Sequence, residues 1–216
     1  NFLSVHDLSP YSTVILINDS PVVENSQFDL TAVVEEYLTK GGNLLITGFY
    51  PLQYFTPNNE FPQQFHQNEF VYDFLKIQSY NHIFGSRFIS ATSKTNPNLS
   101  VDPNKTFNEL AYHILNIASV TPIEDSLSIY QYHSEFSDDT PYGAMAGETV
   151  GIAYEGDYNL MLLSLPLYYC DETGVMAFFN HVLPNFFKEE KVSLKGKPTD
   201  VVLIEPNYPN PFNPST

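Results

Sequence analysis

The stretch 11–48 constrains the fold of this chain more than any other. Its first part, 13–17, is a continuous β-branched and aliphatic run, which is typical of a strand buried on both faces. Apolar residues then recur at helical spacing over 30–38, and a second aliphatic run follows over 43–48. A strand, a helix and a strand joined by short connections predict a βαβ unit with parallel pairing and a right-handed crossover.

The ends of that helix also carry local signals. Ser26 and Asp29 have the spacing of a capping box, and Gly41-Gly42 supply a left-handed stop.

Later segments predict further elements: a short helix over 70–77, possible strands over 87–90 and 126–133, a hairpin of 150–154 with 160–165, and a last helix capped by Asp171 and containing Pro184.

Charge and composition exclude several classes of function. The chain has 25 acidic and 9 basic residues, a net charge of −16, and no basic cluster free of glutamates. Such a surface repels phosphate backbones, so we expect no nucleic-acid partner. No run approaches 18 apolar residues, so we expect no membrane span, and no motif indicates a cofactor. Cys170 is the only cysteine, which excludes an internal disulfide framework and a cysteine-based zinc site.

The C-terminal decapeptide, 207–216, reads NYPNPFNPST. It resembles the opening of the C-terminal sorting domain of type IX secretion cargo in Bacteroidetes and their relatives. The resemblance implies an exported or cell-surface bacterial precursor whose tail is recognised by the secretion machinery. We therefore expect a domain over 1–187, a linker over 188–200 rich in charge, Gly and Pro, and the start of a sorting domain over 201–216.

The larger part of the chain is similar to class I glutamine amidotransferase-like domains. The residues that carry the similarity are YSTVIL at 11–16, YLTKGG at 37–42, LLITG at 44–48, GIAYEG at 151–156 and LSLPLY at 163–168. The resemblance implies an α/β fold: a flavodoxin-like, Rossmann-like three-layer sandwich with a mainly parallel sheet and a C-terminal β-hairpin plus helix. The first strand and helix of that family would precede Asn1, so this chain either lacks that N-terminal edge or supplies it otherwise. No signal peptide begins at Asn1, and we expect the sequence to be an internal piece of a longer precursor.

Catalytic members of that superfamily place a cysteine on a tight strand-to-helix elbow between small residues, because bulky neighbours would crowd the nucleophile. Here Phe49, Tyr50 and Pro51 follow Gly48. Cys170 is the remaining candidate nucleophile, between a strand and a helix. Its neighbours are bulky or acidic, and a buried structural thiol is the favoured interpretation.

Three other groups of residues are candidate sites. Asn18 and Asp19 follow the first strand, where open α/β sheets bind ligands, although an Asx-turn explains the same residues. Glu135, Asp138 and Asp139 offer hard oxygen ligands for calcium, without EF-hand spacing, and a solvated turn is the favoured interpretation. The six histidines are scattered singly and predict no zinc site.

The aromatic segment 49–65 supports two interpretations. Tyr50 and Tyr54 could stack on sugars if they are exposed, or the segment could cover the end of the sheet. The second interpretation is favoured because a chain with 17 Phe must bury most of them.

Taken together, the sequence favours a non-catalytic accessory or interaction domain of a secreted or cell-surface protein, docked to neighbouring domains of the same precursor. The alternatives are a carbohydrate- or polymer-binding module, or a hydrolase with an unrecognised site.

Overall fold

The computed structural model describes residues 7–19, 29–56, 60–106 and 113–190. Ser26 of the predicted capping box, most of the predicted linker and the whole sorting-domain segment 201–216 lie outside these residues. The elements are β1 Thr13–Asn18, α1 Thr31–Thr39, β2 Asn43–Gly48, β3 Gln63–Gln64, α2 Phe70–Asp73, β4 Ile77–Asn81, β5 Ser90–Thr92, β6 Leu99–Ser100, β7 Ser119–Pro122, β8 Leu127–His133, β9 Thr149–Glu155, β10 Asn159–Leu163 and α3 Glu172–Asn185.

Ten strands of the described chain form two sheets. The larger has seven strands in the order β1-β2-β10-β9-β8-β5-β6, and the smaller has three in the order β3-β4-β7. β2 pairs in parallel with β1 on one side and with β10 on the other, whereas β10, β9, β8, β5 and β6 pair antiparallel in succession. The seven-stranded sheet is therefore mixed, and it curls into a half-barrel.

Each face of the large sheet carries its own apolar cluster. One cluster packs Leu45 and Leu163 of the sheet against Phe178 and Val182 of α3. The other packs alternate residues of the same strands against α1 and the three-stranded sheet. The odd and even residues of β2 and β10 thus enter opposite clusters, as expected for strands buried on both faces.

The predicted βαβ unit is confirmed, because β1 and β2 pair in parallel with Asn18 opposite Gly48. Gly41 has a φ of +84° and ends α1 as predicted. The hairpin of β9 and β10 and the helix capped by Asp171 are confirmed as well. Pro184 lies inside the last turn of α3.

The flavodoxin-like prediction is wrong. Only β1, β2 and β10 run parallel, and the described residues are mostly sheet with few helices rather than a parallel sheet between helical layers. The physical reason lies in the connections. Each parallel crossover needs about a dozen residues, usually helical, but α2 has only four residues and the segment before it is rich in Pro, Asn and Gln. The segments on either side of α2 form short antiparallel strands instead.

Candidate functional site

The three parallel strands end at one edge of the large sheet. Asn18 is opposite Gly48, and Leu163 is opposite Thr47, so Ser164 lies one residue further on at the level of Gly48. Position 18 continues the row of Val14 and Leu16, and position 164 continues that of the β10 residues in the same cluster. Asn18 and Ser164 therefore flank a glycine on one face of the sheet.

Gly48 is required where it stands. Its φ is +147°, and a Cβ there would lie 2.0 Å from the carbonyl oxygen of Asn18. That carbonyl accepts a hydrogen bond from the amide of Phe49 at 3.0 Å, which continues the β1–β2 ladder by one residue. The next two side chains are large and buried, Phe49 at 3% and Tyr50 at 8% exposure. The corner after β2 is filled by aromatic rings.

Asp19 ties the end of β1 to a 3-10 turn at Leu167–Tyr169. Its Oδ2 accepts a hydrogen bond from the Tyr168 amide at 2.9 Å. Burial raises the pKa of Asp19 to about 6, although the backbone amides of Tyr168 and Leu167 stabilise the ionised form. Asn18 is 5% exposed, and its Nδ2 has no hydrogen-bond partner among the described residues. Both residues are at the edge predicted from the sequence.

Tyr80 and Ser164 complete this edge, and sequence reasoning missed both. They are fully buried, and neither hydroxyl makes a hydrogen bond of regular geometry within the described chain. Burial raises the pKa of Tyr80, while the nearby Ser164 hydroxyl opposes the rise. Phe61 packs on Tyr80 at a centroid distance of 4.9 Å. No local pattern could have found the pair, because 84 residues separate its members in the sequence.

Cys170 is closed off from solvent. The side chain is fully buried, and its Sγ lies 3.7 Å from the carbonyl oxygen of Pro166. Burial, with a smaller contribution from the Asp19 carboxylate, raises the pKa of this thiol to about 12, and the Lys105 ammonium opposes that rise. Since the thiolate is the nucleophile, a protonated and inaccessible thiol has little reactivity at neutral pH.

The aromatic segment lies largely in the two cores. Phe49 and Tyr50 belong to the cluster beneath α3, whereas Phe65 belongs to the other cluster and Tyr54 packs against it. The structure therefore agrees with the interpretation that this segment covers the sheet. The sugar-stacking role of Tyr50 and Tyr54 stays a prediction.

The acidic residues Glu135, Asp138 and Asp139 are exposed in a turn where the Thr140 amide donates to the Ser137 carbonyl at 3.1 Å. Glu135 lies 3.9 Å from Nε2 of His113. No three His, Cys, Asp or Glu side chains come together as a metal site within the described ranges. Nor does that part of the chain contain a helix both long and apolar enough to cross a membrane.

A partly exposed group lies elsewhere, in which Arg87 contacts the rings of Phe136 and Tyr142, and the exposed Phe84 precedes Arg87 by three residues; we call these four residues the Arg87 surface. Phe84 is 87% exposed and Tyr142 44% exposed, while the Arg87 guanidinium carbon lies 4.4 Å from the centroid of the Tyr142 ring. The sequence signal that could have found it is the isolated arginine, the only one in the chain, beside the turn sequence Ile83-Phe84-Gly85-Ser86.

The fold and these two regions define a sheet-dominated domain with a closed strand edge and an open aromatic surface. A scan against known protein-family models matched none, and a search of curated proteins found no significant match.

Proposed function

We propose that this chain is a non-catalytic accessory or interaction module of a secreted or cell-surface bacterial protein. It docks a neighbouring domain of the same precursor. The observation that supports the proposal most directly is the filled corner after β2, where Phe49 and Tyr50 occupy the space that a nucleophile would need. The secreted setting is supported by the C-terminal decapeptide alone.

The chemistry of Cys170 supports the same proposal. A general base or a neighbouring cation would have to lower the pKa of the thiol for nucleophilic catalysis. Here burial has the largest effect on the pKa of the Cys170 thiol, and it raises that pKa. The nearby Lys105 ammonium donates to the Cys170 carbonyl at 2.9 Å and so also holds the backbone in place.

The absence of catalysis is tested with a panel of amide, ester and glycosidic substrates. We expect no hydrolysis above background by the wild-type chain or by Cys170→Ala, and thermal melts of both proteins verify that they are folded. Hydrolysis by the wild type that Cys170→Ala abolishes, at unchanged fold, would overturn the proposal. Hydrolysis that survives in Cys170→Ala overturns it equally and indicates a different nucleophile.

Docking is tested by supplying the remainder of the precursor as a separate polypeptide and measuring its association with this chain. Phe84→Ser removes an exposed apolar side chain from the Arg87 surface, and we expect it to weaken association about tenfold. Leu127→Ser is the matched control. Leu127 is 69% exposed at the first residue of β8, whereas the loop that supplies Phe136 and Tyr142 follows the last residue of that strand. Equal association of wild type and both variants contradicts docking through this surface, and no association at all contradicts the proposed function.

A further inference from the structure

A tight turn presents Phe84 to solvent. The Ser86 amide donates to the Ile83 carbonyl at 3.2 Å, and Gly85 has a φ of +86°, which is the geometry of a type II turn. The turn is fixed at its base, because the Arg87 amide donates to the Tyr142 carbonyl at 2.8 Å. Phe84 is more exposed than any other large hydrophobic side chain in the described residues. Its position therefore does not arise from a loose loop.

Two aromatic rings hold the Arg87 side chain. Its guanidinium carbon lies 4.4 Å from the Tyr142 ring centroid and 5.5 Å from the Phe136 ring centroid. These rings pack on each other at 5.2 Å, and His113 packs on Phe136 at 5.3 Å. The two ring centroids are only 5.2 Å apart, so both rings lie on one side of the guanidinium and leave its remaining N–H groups for hydrogen bonds. The stacking thus preorganises the group for a ligand.

The charge of Arg87 is not neutralised within the described chain. The ion pairs there are formed by Lys40, Lys188 and His113, and none involves Arg87. This is notable in a chain that has 25 acidic residues and a single arginine. A planar guanidinium recognises carboxylates and phosphates through paired hydrogen bonds.

The surrounding charge selects between these two anions. The loop that supplies Phe136 and Tyr142 also carries Glu135, Asp138 and Asp139. A phosphate, which bears up to two negative charges, is repelled by this loop more strongly than a carboxylate, which bears one. Phe84, three residues before Arg87 in the sequence, offers an exposed apolar side chain for a second contact.

We propose that the Arg87 surface binds a segment of a partner that presents a carboxylate beside an apolar side chain, with the carboxylate on Arg87 and the apolar group against Phe84 and Tyr142. The inference rests on the proposed function as an interaction module and specifies the chemistry of its partner. The partner's carboxylate supplies the negative charge that Arg87 lacks within the described residues.

The inference is tested by NMR titration of the whole chain with two probes that differ in one group. N-acetylphenylalanine carries the carboxylate beside an aromatic side chain, whereas N-acetylphenylalanine amide is its neutral analogue. We expect the carboxylate probe to shift the amide signals of Phe84, Arg87 and Tyr142, and to bind about tenfold more tightly than the amide probe. Equal binding of the two probes, or no shift at these residues, overturns the inference.

Two variants identify the group responsible. Arg87→Gln should abolish the preference for the carboxylate probe, and Lys94→Gln, which removes one positive charge from an exposed position in another loop, should retain it. The amide spectrum of each variant verifies the fold. A preference unchanged in Arg87→Gln overturns the inference. If the preference for the carboxylate probe is absent while the chain still associates with the remainder of its precursor, the inference fails and the proposed function stands. If the carboxylate probe is preferred but the chain does not associate with the remainder of its precursor, the proposed function fails.

Discussion

Asp19 is a carboxylate whose burial in the folded chain opposes its ionisation. Its pKa is raised to about 6 by burial, whereas an exposed aspartate titrates near 3.8. A raised pKa means that the folded state binds the proton more tightly than the unfolded state does. The contribution of Asp19 to stability is therefore fully present below about pH 4, falls as the pH rises to about 6, and stays reduced above that value.

Asp19→Asn removes this titration and keeps an oxygen that can accept the hydrogen bond from the Tyr168 amide. We expect the variant to match the wild type near pH 4 and to exceed its unfolding free energy at pH 7.5 by on the order of 2–3 kcal/mol. Urea denaturation at both pH values measures the difference. The control is Asp139→Asn, which removes the same charge from an exposed turn and should show no comparable divergence.

The sequence alone predicted two of the residues at the strand edge, Asn18 and Asp19. Asn18 and Asp19 could be placed there because they directly follow a strand that its own residues identify. Their neighbours could not be placed, since Ser164 reaches the edge through the pairing of β10 with β2, whereas Tyr80 and Tyr168 reach it through packing and a hydrogen bond between distant segments. The burial of Cys170 was foreseeable from its bulky neighbours, but the filling of the corner by Phe49 and Tyr50 depends on how the chain turns after Gly48.

Among the elements, α3 has the best-defined beginning. The Asp171 side chain accepts a hydrogen bond from the Gly174 amide at 3.1 Å and so satisfies one of the free amides of the first turn. We expect Asp171→Ala to lower the unfolding free energy by about 1 kcal/mol, and Asp171→Ser to restore most of it. Chemical denaturation measures both. Glu172→Ala, an exposed substitution in the same turn, serves as the control, and a loss of the same size there contradicts the capping role.

Elements with a strong local pattern were predictable and those without one were not. β1, α1, β2, the β9–β10 hairpin and α3 each show periodicity or a turn that the sequence displays. β3, β5 and β6 have two or three residues, too few for an alternation to be recognised. The error in fold class follows from this. The βαβ unit is correct, but the sequence does not reveal the short antiparallel strands, and the resemblance therefore implied a parallel sheet throughout.

Strands of the large sheet contribute side chains to both apolar clusters. In β2, Leu45 faces the cluster beneath α3, while Leu44 and Ile46 face the cluster that also contains the three-stranded sheet. A disruption of either cluster therefore disturbs a strand that the other cluster needs. The described residues should unfold as one cooperative unit.

This coupling is tested with one truncation in each cluster. Leu38 of α1 and Leu165 beyond β10 are both fully buried, in different clusters. We expect Leu38→Ala and Leu165→Ala each to lower the unfolding free energy by about 2–5 kcal/mol and to shift one single transition, seen alike by far-UV circular dichroism and tyrosine fluorescence. Met176→Ala, at a position 57% exposed on α3, should change it little. Two separate transitions, each moved by only one of the core variants, would contradict this coupling, because the shared strands would then have to remain ordered after one core had unfolded.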